Sequence, residues 1–156
     1  MGNYGTGQAC RNGHAITGDL TNGDGSSYCA VCGADTISAC EACNSPIRGT
    51  FQSDFGFTGP WSPPAHCRHC GNGFPWTVAK MEAVKELAEA IEELTDFERE
   101  KLSELLPHIV QHTPRTQPAG FKIAAIVERT KAPARAVLRD LLSDITVEAG
   151  RKALGL

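Results

Sequence analysis

The chain has 156 residues and a formal net charge of −3, and 21% of its residues are charged. This length suits one domain of ordinary size or two small ones. No apolar run approaches the length of a membrane-spanning helix, and the Gly-rich first residues lack the apolar segment of a signal peptide. We therefore expect a cytoplasmic protein with no membrane partner, in a reducing compartment where clustered cysteines favour metal over disulfides.

Seven cysteines and one histidine recur as closely spaced pairs between residues 10 and 70. The pairs are Cys10-x3-His14, Cys29-x2-Cys32, Cys40-x2-Cys43 and Cys67-x2-Cys70. Two ligands separated by two or three intervening residues can bind one face of a tetrahedral ion from a single tight turn, and a second turn completes the site. Four pairs therefore predict two four-ligand sites and two structural Zn²⁺ ions as cofactors.

The four pairs can be combined in two ways. In a sequential scheme the first two pairs share one ion and the last two share the other. In a cross-braced scheme pairs one and three share an ion, as do pairs two and four. The short linker 33–39 contains the β-prone step Thr36-Ile37 and is typical of one strand joining two zinc ribbons. It favours the sequential scheme, although spacing alone leaves the cross-brace open.

The composition divides the chain into two unlike halves. Residues 1–75 are rich in Gly, Cys, Ser and Pro, contain no lysine and show no helical period. Such a segment cannot bury enough apolar surface to fold alone, so metal must supply the missing stability. The predicted organisation is a double zinc-ribbon domain over 1–75 and a helical bundle domain over 76–156. The fold class is thus a small zinc-stabilised β module of tandem zinc ribbons followed by an α-helical domain.

The second half has the periodicity of about four helices. Apolar residues recur every three or four positions from Val78 to Leu94, and Thr95-x-x-Glu98 is a capping-box pattern that begins a second helix. The stretch 112–120 contains two prolines and a glycine and is predicted to be a loop. A third helix should carry Ile123, Ile126 and Val127, and a fourth should begin near Pro133.

Several short strings resemble a known family. They are Tyr4…Gln8-x-Cys10-x-Asn12-Gly13-His14, Cys29-x-x-Cys32-Gly33-Ala34-x-Thr36-Ile37, Cys43-Asn44-x-Pro46-Ile47-Arg48-Gly49, Cys67-x-x-Cys70-Gly71 with Pro75-Trp76-Thr77, and Pro114-Arg115-Thr116. Together they resemble an uncharacterised bacterial domain-of-unknown-function family of short proteins with N-terminal zinc knuckles. The resemblance implies a bacterial, cytoplasmic protein and carries no activity.

The predicted function is a non-enzymatic zinc-binding adaptor whose partner is another protein. The segment between Cys43 and Cys67 is rich in aromatic residues and proline and is held by a metal ligand at each end, so little entropy remains to be lost on binding. The candidate partner-binding residues are Arg48, Phe55, Phe57 and Trp61. The alternative interpretation is that these aromatic residues only cover the thin ribbon core.

Nucleic-acid binding is the alternative function. Residues 121–142 resemble a helix-turn-helix in which Arg135 and Arg139 share one helical face and could meet phosphates or base edges. Against this, residues 1–75 contain three arginines and five acidic residues, and an acidic ribbon repels phosphate. The favoured interpretation of the pattern is a helical hairpin whose basic side packs near the acidic first helix or faces water. The oligomeric state stays open, since the helices can close on themselves or complete their core in a dimer.

The sequence contains none of the usual catalytic patterns. We find no Ser/His/Asp set, no phosphate-cradling Gly loop and no carboxylate pair of defined spacing. Both ligand sets can close with four protein ligands, whereas a catalytic zinc keeps an open position. We therefore expect no catalytic residues and no enzymatic activity.

Overall fold

The structure, a computed structural model, describes residues 2–54, 56 and 59–156. Met1, Phe55, Phe57 and Thr58 lie outside the described residues. The chain divides into two compact units, Met1–Val78 and Ala79–Leu156, which we call the β unit and the helical unit.

The described part of the β unit contains five short strands in two small antiparallel sheets. The strands are β1 (Asn3–Thr6), β2 (Gln8–Cys10), β3 (Ala15–Thr17), β4 (Thr36–Ile37) and β5 (Arg48–Gln52). One sheet pairs β1 with β5, and the other has the order β3-β2-β4. The predicted β-prone step Thr36-Ile37 forms β4, where Thr36 lies opposite Cys10 of β2.

The buried core of the β unit is small and consists partly of sulfur. Its buried cluster comprises Ala9, Cys40, Ile47, Cys67, Phe74 and Trp76. The rings of Phe74 and Trp76 are stacked, with 4.8 Å between their centroids, and the Trp76 indole N–H donates to the Pro64 carbonyl oxygen. An aromatic pair next to two cysteines is thus the centre of this unit.

In the described residues, five helices follow the strands of the β unit. The prediction of about four helices was wrong by one. They are α1 (Pro75–Ala90), α2 (Asp96–Ile109), α3 (Thr116–Glu128), α4 (Ala134–Ile145) and α5 (Glu148–Leu154). The extra helix, α5, spans only seven residues, which is too short for an apolar period to be recognised. It ends at Gly155, which adopts a left-handed conformation with φ of 70°.

The capping box at the start of α2 is present as predicted. The Thr95 side chain accepts a hydrogen bond from the Glu98 backbone N–H, and the Glu98 carboxylate accepts one from the Thr95 backbone N–H. The predicted loop over 112–120 is wrong in its second half, because α3 already begins at Thr116. Pro118 lies in the first turn of α3, where a missing backbone N–H costs nothing.

A continuous apolar core fills the helical unit. Leu102, Leu106, Ile109, Ile123, Leu138 and Leu142 are the large side chains at its centre, and none is more than 1% exposed. Gly120 lets α3 approach α5 closely, because a Cβ atom there would lie 2.9 Å from the Ala153 Cβ atom. In the parts of the chain that the structure covers, we find no helix with the length and apolarity that crossing a bilayer requires.

Candidate metal centres

The β unit brings the predicted ligands together in two groups of four. The first cluster consists of Cys10, His14, Cys29 and Cys32, and the second cluster consists of Cys40, Cys43, Cys67 and Cys70. In each cluster the four potential ligand atoms all lie within 4.8 Å of one another. This is the grouping of the sequential scheme. In the cross-braced scheme, pairs one and three would lie together, as would pairs two and four.

Each Cys-x-x-Cys pair is held by the same backbone turn. The N–H of the first cysteine donates to the carbonyl oxygen five residues later, and the N–H four residues later donates back to the carbonyl oxygen of that cysteine. For the pair that begins at Cys29 these bonds come from Cys29 to Ala34 and from Gly33 to Cys29, both 2.8 Å long. The pairs that begin at Cys40 and Cys67 repeat both bonds. Three separate segments of the chain have thus adopted the same backbone turn.

The turn requires a left-handed residue directly after its second cysteine. Gly33 and Gly71 occupy that position with φ values of 73° and 76°, and Asn44 occupies it in the remaining pair with φ of 58°. Asparagine is among the few side chains that adopt this region readily. The first turn differs, since Cys10 and His14 are four residues apart and its left-handed residue is Gly13, with φ of 89°.

Distances between ligand atoms are regular across both clusters. The Sγ atoms of Cys10 and Cys32 are 3.7 Å apart, and the Sγ pairs Cys40–Cys70 and Cys43–Cys67 have the same separation. His14 presents its Nδ1 atom at 3.4 Å from Cys10 Sγ and 3.6 Å from Cys29 Sγ. All seven cysteines are free thiols, and a disulfide would bring two sulfur atoms to about 2.05 Å.

Burial alternates within the pairs. The first cysteine of each pair is buried, with 0% exposure at Cys10 and 4% at Cys29, Cys40 and Cys67. The second cysteine of each Cys-x-x-Cys pair, at positions 32, 43 and 70, is exposed. Backbone N–H groups point at the buried sulfur atoms, as at Val31, whose N–H lies 3.4 Å from Cys29 Sγ. Each cluster is therefore anchored in the fold on one side and reaches the surface on the other.

Local hydrogen bonds favour the thiolate form at one exposed cysteine in each cluster. The Ala34 backbone N–H and then the Asn12 side chain lower the pKa of Cys32 to about 6. The Ser45 hydroxyl and then the Ser45 backbone N–H lower the pKa of Cys43 to about 6. Because the thiolate is the form that binds metal, both positions are partly prepared to act as ligands near neutral pH.

An arginine that the sequence analysis did not single out connects the two clusters. Arg11 follows the ligand Cys10, and its guanidinium contacts the Asp35 carboxylate at 2.8 Å and the Glu41 carboxylate at 2.7 Å. Asp35 follows the second turn of the first cluster, and Glu41 lies inside the first turn of the second cluster. All three side chains are about half exposed, so these ion pairs contribute little to the free energy of unfolding. Their main effect is to fix the positions of the three turns relative to one another.

Two of the four predicted partner-binding residues have described positions. The Arg48 guanidinium lies 3.6 Å from the centre of the Tyr4 ring, on the exposed side of β5. Trp61 is half-buried against the core cluster of the β unit, and its indole N–H donates to the Arg48 carbonyl oxygen. Phe55 and Phe57 lie outside the described residues, so the structure does not place them.

The two predicted nucleic-acid-binding arginines are engaged within the helical unit. The Arg135 guanidinium donates to the Thr130 and Glu128 carbonyl oxygens, at the C-terminal end of α3. Arg139 donates to the Glu128 carboxylate at 3.1 Å and to the Gly155 carbonyl oxygen at 2.7 Å. They do lie on one face of α4, as predicted, but that face caps α3 and contacts the end of α5.

Taken together, these features define a small protein with a β region that contains two cysteine-rich clusters able to hold metal, followed by five helices. Comparison with known proteins gives its family. A family model described as an uncharacterised protein conserved in bacteria (DUF2321) matches residues 3–154, and the chain belongs to this family. The resemblance noted in the sequence is therefore confirmed. No curated protein matches the chain, and no solved structure matches it.

Proposed function

We propose that each cluster holds one zinc ion. A tetrahedral ion with zinc–sulfur bonds of about 2.3 Å separates its sulfur ligands by about 3.8 Å, and a nitrogen ligand lies about 3.6 Å from each sulfur. Three Sγ pairs, Cys10–Cys32, Cys40–Cys70 and Cys43–Cys67, are 3.7 Å apart, and His14 Nδ1 lies 3.4 Å and 3.6 Å from two Sγ atoms of the first cluster. This agreement with a zinc tetrahedron is the observation that carries the proposal. Soft thiolate ligands also select against magnesium and calcium.

Both proposed ions have a structural role. Each cluster supplies four protein ligands, which saturate a tetrahedral ion and leave no position for a water or a substrate. Thiolates also donate charge to the ion and weaken its action as a Lewis acid. The chain is therefore proposed to be non-enzymatic. Free thiols suit the reducing cytoplasm, which is the proposed compartment.

The proposed role is that of a protein-binding adaptor, and the exposed side of the β1–β5 sheet is its best-supported surface in the β unit. Tyr4 and Phe51 are 42% and 44% exposed, and their ring centroids are 5.0 Å apart. The Arg48 guanidinium covers the Tyr4 ring. Tyrosine and arginine are enriched at the energetic centres of protein interfaces. A rigid strand pair that presents both, close to two metal clusters, can bind a partner with little ordering cost.

Nucleic-acid binding has less support from the contacts of the residues proposed for it. Arg135 and Arg139 already donate to backbone carbonyl oxygens and to Glu128, so phosphate would have to displace those partners. Nucleic-acid binding by this segment would therefore require the chain to rearrange when it binds.

A pull-down from a native bacterial host tests the adaptor function. The bait is the zinc-loaded full chain, and the comparison is a variant with Tyr4→Ala and Arg48→Glu. Arg68→Glu, an exposed arginine beside Cys67, is the matched control for the charge change. We expect one protein to be enriched in stoichiometric amounts by the wild type and by the control, and to be lost with the double variant at unchanged zinc content. Equal retention by all three baits would rule out this surface.

A further inference from the structure

A second exposed feature lies in the helical unit, away from the residues used above. Phe97 of α2 and Phe121 of α3 are 71% and 73% exposed. Both line a groove of about 340 Å³ between these helices, which Ala125 and Ile126 also line. Single exposed apolar residues are ordinary, but two large aromatic residues on either side of one concave apolar surface indicate a binding site.

The groove has a basic rim. Lys101, Lys122 and Arg129 line it together with a single carboxylate, Glu98. The charge of Glu98 is already compensated, because its carboxylate accepts from the Thr95 N–H and lies 2.6 Å from the Arg129 guanidinium. Lys122 has no charged partner among the described residues. Lys101 is paired with Glu104 and Arg129 with Glu98, so Lys122 carries the uncompensated positive charge of this rim. This positive charge occurs in a chain whose formal net charge is −3, so composition alone does not account for it.

A second depression extends the groove along the same two helices. It shares Lys101 and Lys122 with the first depression and continues past His108 and Arg115. It also contains the carboxylate of Glu104, which lies 2.9 Å from the Lys101 ammonium. Arg115 directly precedes α3, Lys122 lies within it and Arg129 directly follows it, so their spacing of seven residues places them near one face of that helix. From Phe97 to His108 the combined groove follows α2 for about 16 Å. This length matches about three turns of a helix and exceeds what a small ligand would occupy.

We propose that this groove between α2 and α3 binds an acidic amphipathic helix of a partner protein, whose apolar side chains enter between Phe97 and Phe121 and whose carboxylates meet Lys101, Lys122 and Arg115. Helices bind grooves of this kind through apolar residues at spacings of three and four. A second copy of the chain is a poorer occupant of the same site, because a symmetric contact would set Lys122 and Lys101 against the same residues of the other copy. A flat membrane surface fits a concave groove less well than an inserted side chain.

This inference deepens the proposed adaptor function and rests on it for the existence of a protein partner. Its test does not depend on the β unit or on a host partner. The probe is a fluorescein-labelled peptide of roughly 15 residues, long enough to form a helix, with Leu on one face and Glu on the others. A peptide with every Glu replaced by Lys is the charge control. Anisotropy is measured with the zinc-loaded full chain at low and high salt.

We expect the acidic peptide to bind and the basic peptide not to bind, with affinity that falls as salt rises. Phe97→Ala with Phe121→Ala should weaken binding by about tenfold or more, as loss of aromatic anchors does at other interfaces. Lys101→Glu with Lys122→Glu should abolish the preference for the acidic peptide. Val137→Ala and Lys152→Glu, at exposed positions outside the groove, should bind as the wild type does. Circular dichroism confirms that each variant is folded, as expected for changes at exposed residues.

Three outcomes would overturn the inference. One is equal binding of the acidic and basic peptides by the wild type. Another is wild-type affinity in the folded Phe97/Phe121 double variant. The third is that the protein binds vesicles containing phosphatidylserine but neither peptide, and that the same substitutions abolish the vesicle binding. This result would assign the surface to membranes. Any of these outcomes would reject the groove without testing the β-unit surface. The pull-down with the Tyr4 and Arg48 variant tests the β-unit surface without testing the groove.

Discussion

In the described part of the helical unit, sixteen apolar residues form one buried cluster, whereas the buried cluster of the described β unit has six members, of which two are cysteines. The strands of the β unit are two to five residues long, too short to fold without further contacts. The helical unit has the opposite character, with four helices of twelve to sixteen residues and a closed apolar core. With the proposed metal sites, the chain combines two sources of stability, metal coordination in one unit and apolar burial in the other.

The full chain provides separate probes for its two units. Both tryptophans, Trp61 and Trp76, pack in the β-unit cluster, so tryptophan fluorescence follows the folding of that unit. Far-ultraviolet circular dichroism is dominated by the helices, most of whose residues belong to the helical unit. Each prediction below can therefore be assigned to one unit without dividing the protein.

The largest expected effect is that of removing the metal. A strong chelator should unfold the β unit, because the binding energy of a structural zinc ion is the folding energy of the module that holds it. Trp61 and Trp76 should then show solvent-exposed emission, while helical circular dichroism keeps most of its intensity. Zinc, but not magnesium, should restore the fluorescence. If the fluorescence stays native in the metal-free protein, the β unit does not depend on metal.

Truncation of a buried leucine should affect the other unit. Leu106 is fully buried in the helical core, and Leu106→Ala should cost about 2–5 kcal/mol of its free energy of unfolding through lost apolar contact and a cavity. Denaturant titration followed by circular dichroism measures this loss. Stoichiometric zinc and native tryptophan emission in the same variant would show that the two units are energetically separate, and joint loss of both signals would show that they are not.

The metal-binding turns could be predicted from the sequence because everything that defines them is local. A ligand pair, a tight turn and a left-handed residue lie within six positions, as from Cys29 to Ala34. The capping box of Thr95 and Glu98 was predictable for the same reason. The grouping of the pairs, by contrast, depends on which strands meet, and spacing alone could not decide it.

The errors arose where packing overrides local signals. Gly120 indicated a loop, yet it lies inside α3 because α5 passes too close for a side chain there. Thr116 begins that helix because its buried hydroxyl donates to the Gln111 carbonyl oxygen and accepts from the Thr113 N–H. Helix α5 was missed because seven residues carry too little periodicity. The contacts of Arg135 with the end of α3 and of Arg139 with Glu128 and Gly155 likewise depend on tertiary structure.

A smaller effect is expected from the backbone of the turns. Gly13→Ala should destabilise the β unit by about 2–3 kcal/mol, because it combines a left-handed φ of 89° with a Cβ atom only 2.9 Å from the Trp76 Cβ atom. Gly33→Ala is the matched control, since Gly33 has a φ of 73° but open space around it. It should cost about 1 kcal/mol. Denaturant titration followed by tryptophan fluorescence compares them, and equal losses would mean that the contact with Trp76 is unimportant.

The smallest effect concerns the cap of α2 and its dependence on pH. Thr95→Ala should cost the helical unit about 1 kcal/mol, since it removes the side chain that accepts from the Glu98 N–H. The Thr95 backbone N–H, the Thr95 hydroxyl and the Arg129 charge lower the pKa of Glu98. The resulting stability is complete above the pKa of an unfolded glutamate, about 4.3, and is lost as the pH falls through the lower folded value.

Thermal unfolding between pH 3 and 7, followed by circular dichroism, should therefore show a smaller acid-induced loss in Glu98→Gln than in the wild type. Glu92→Gln, at an exposed position of the same unit, should behave as the wild type does. A wild-type acid profile in Glu98→Gln would mean that the cap and the Arg129 contact contribute nothing that depends on charge.

The central claim is that two zinc ions shape the β unit, and native mass spectrometry of protein purified from its bacterial host without added metal tests it most directly. We expect a mass that corresponds to the chain plus two zinc ions, with all seven cysteines reduced when the ions are released. A folded chain that carries no stoichiometric zinc, or one whose mass shows pairs of cysteines joined as disulfides, would contradict it.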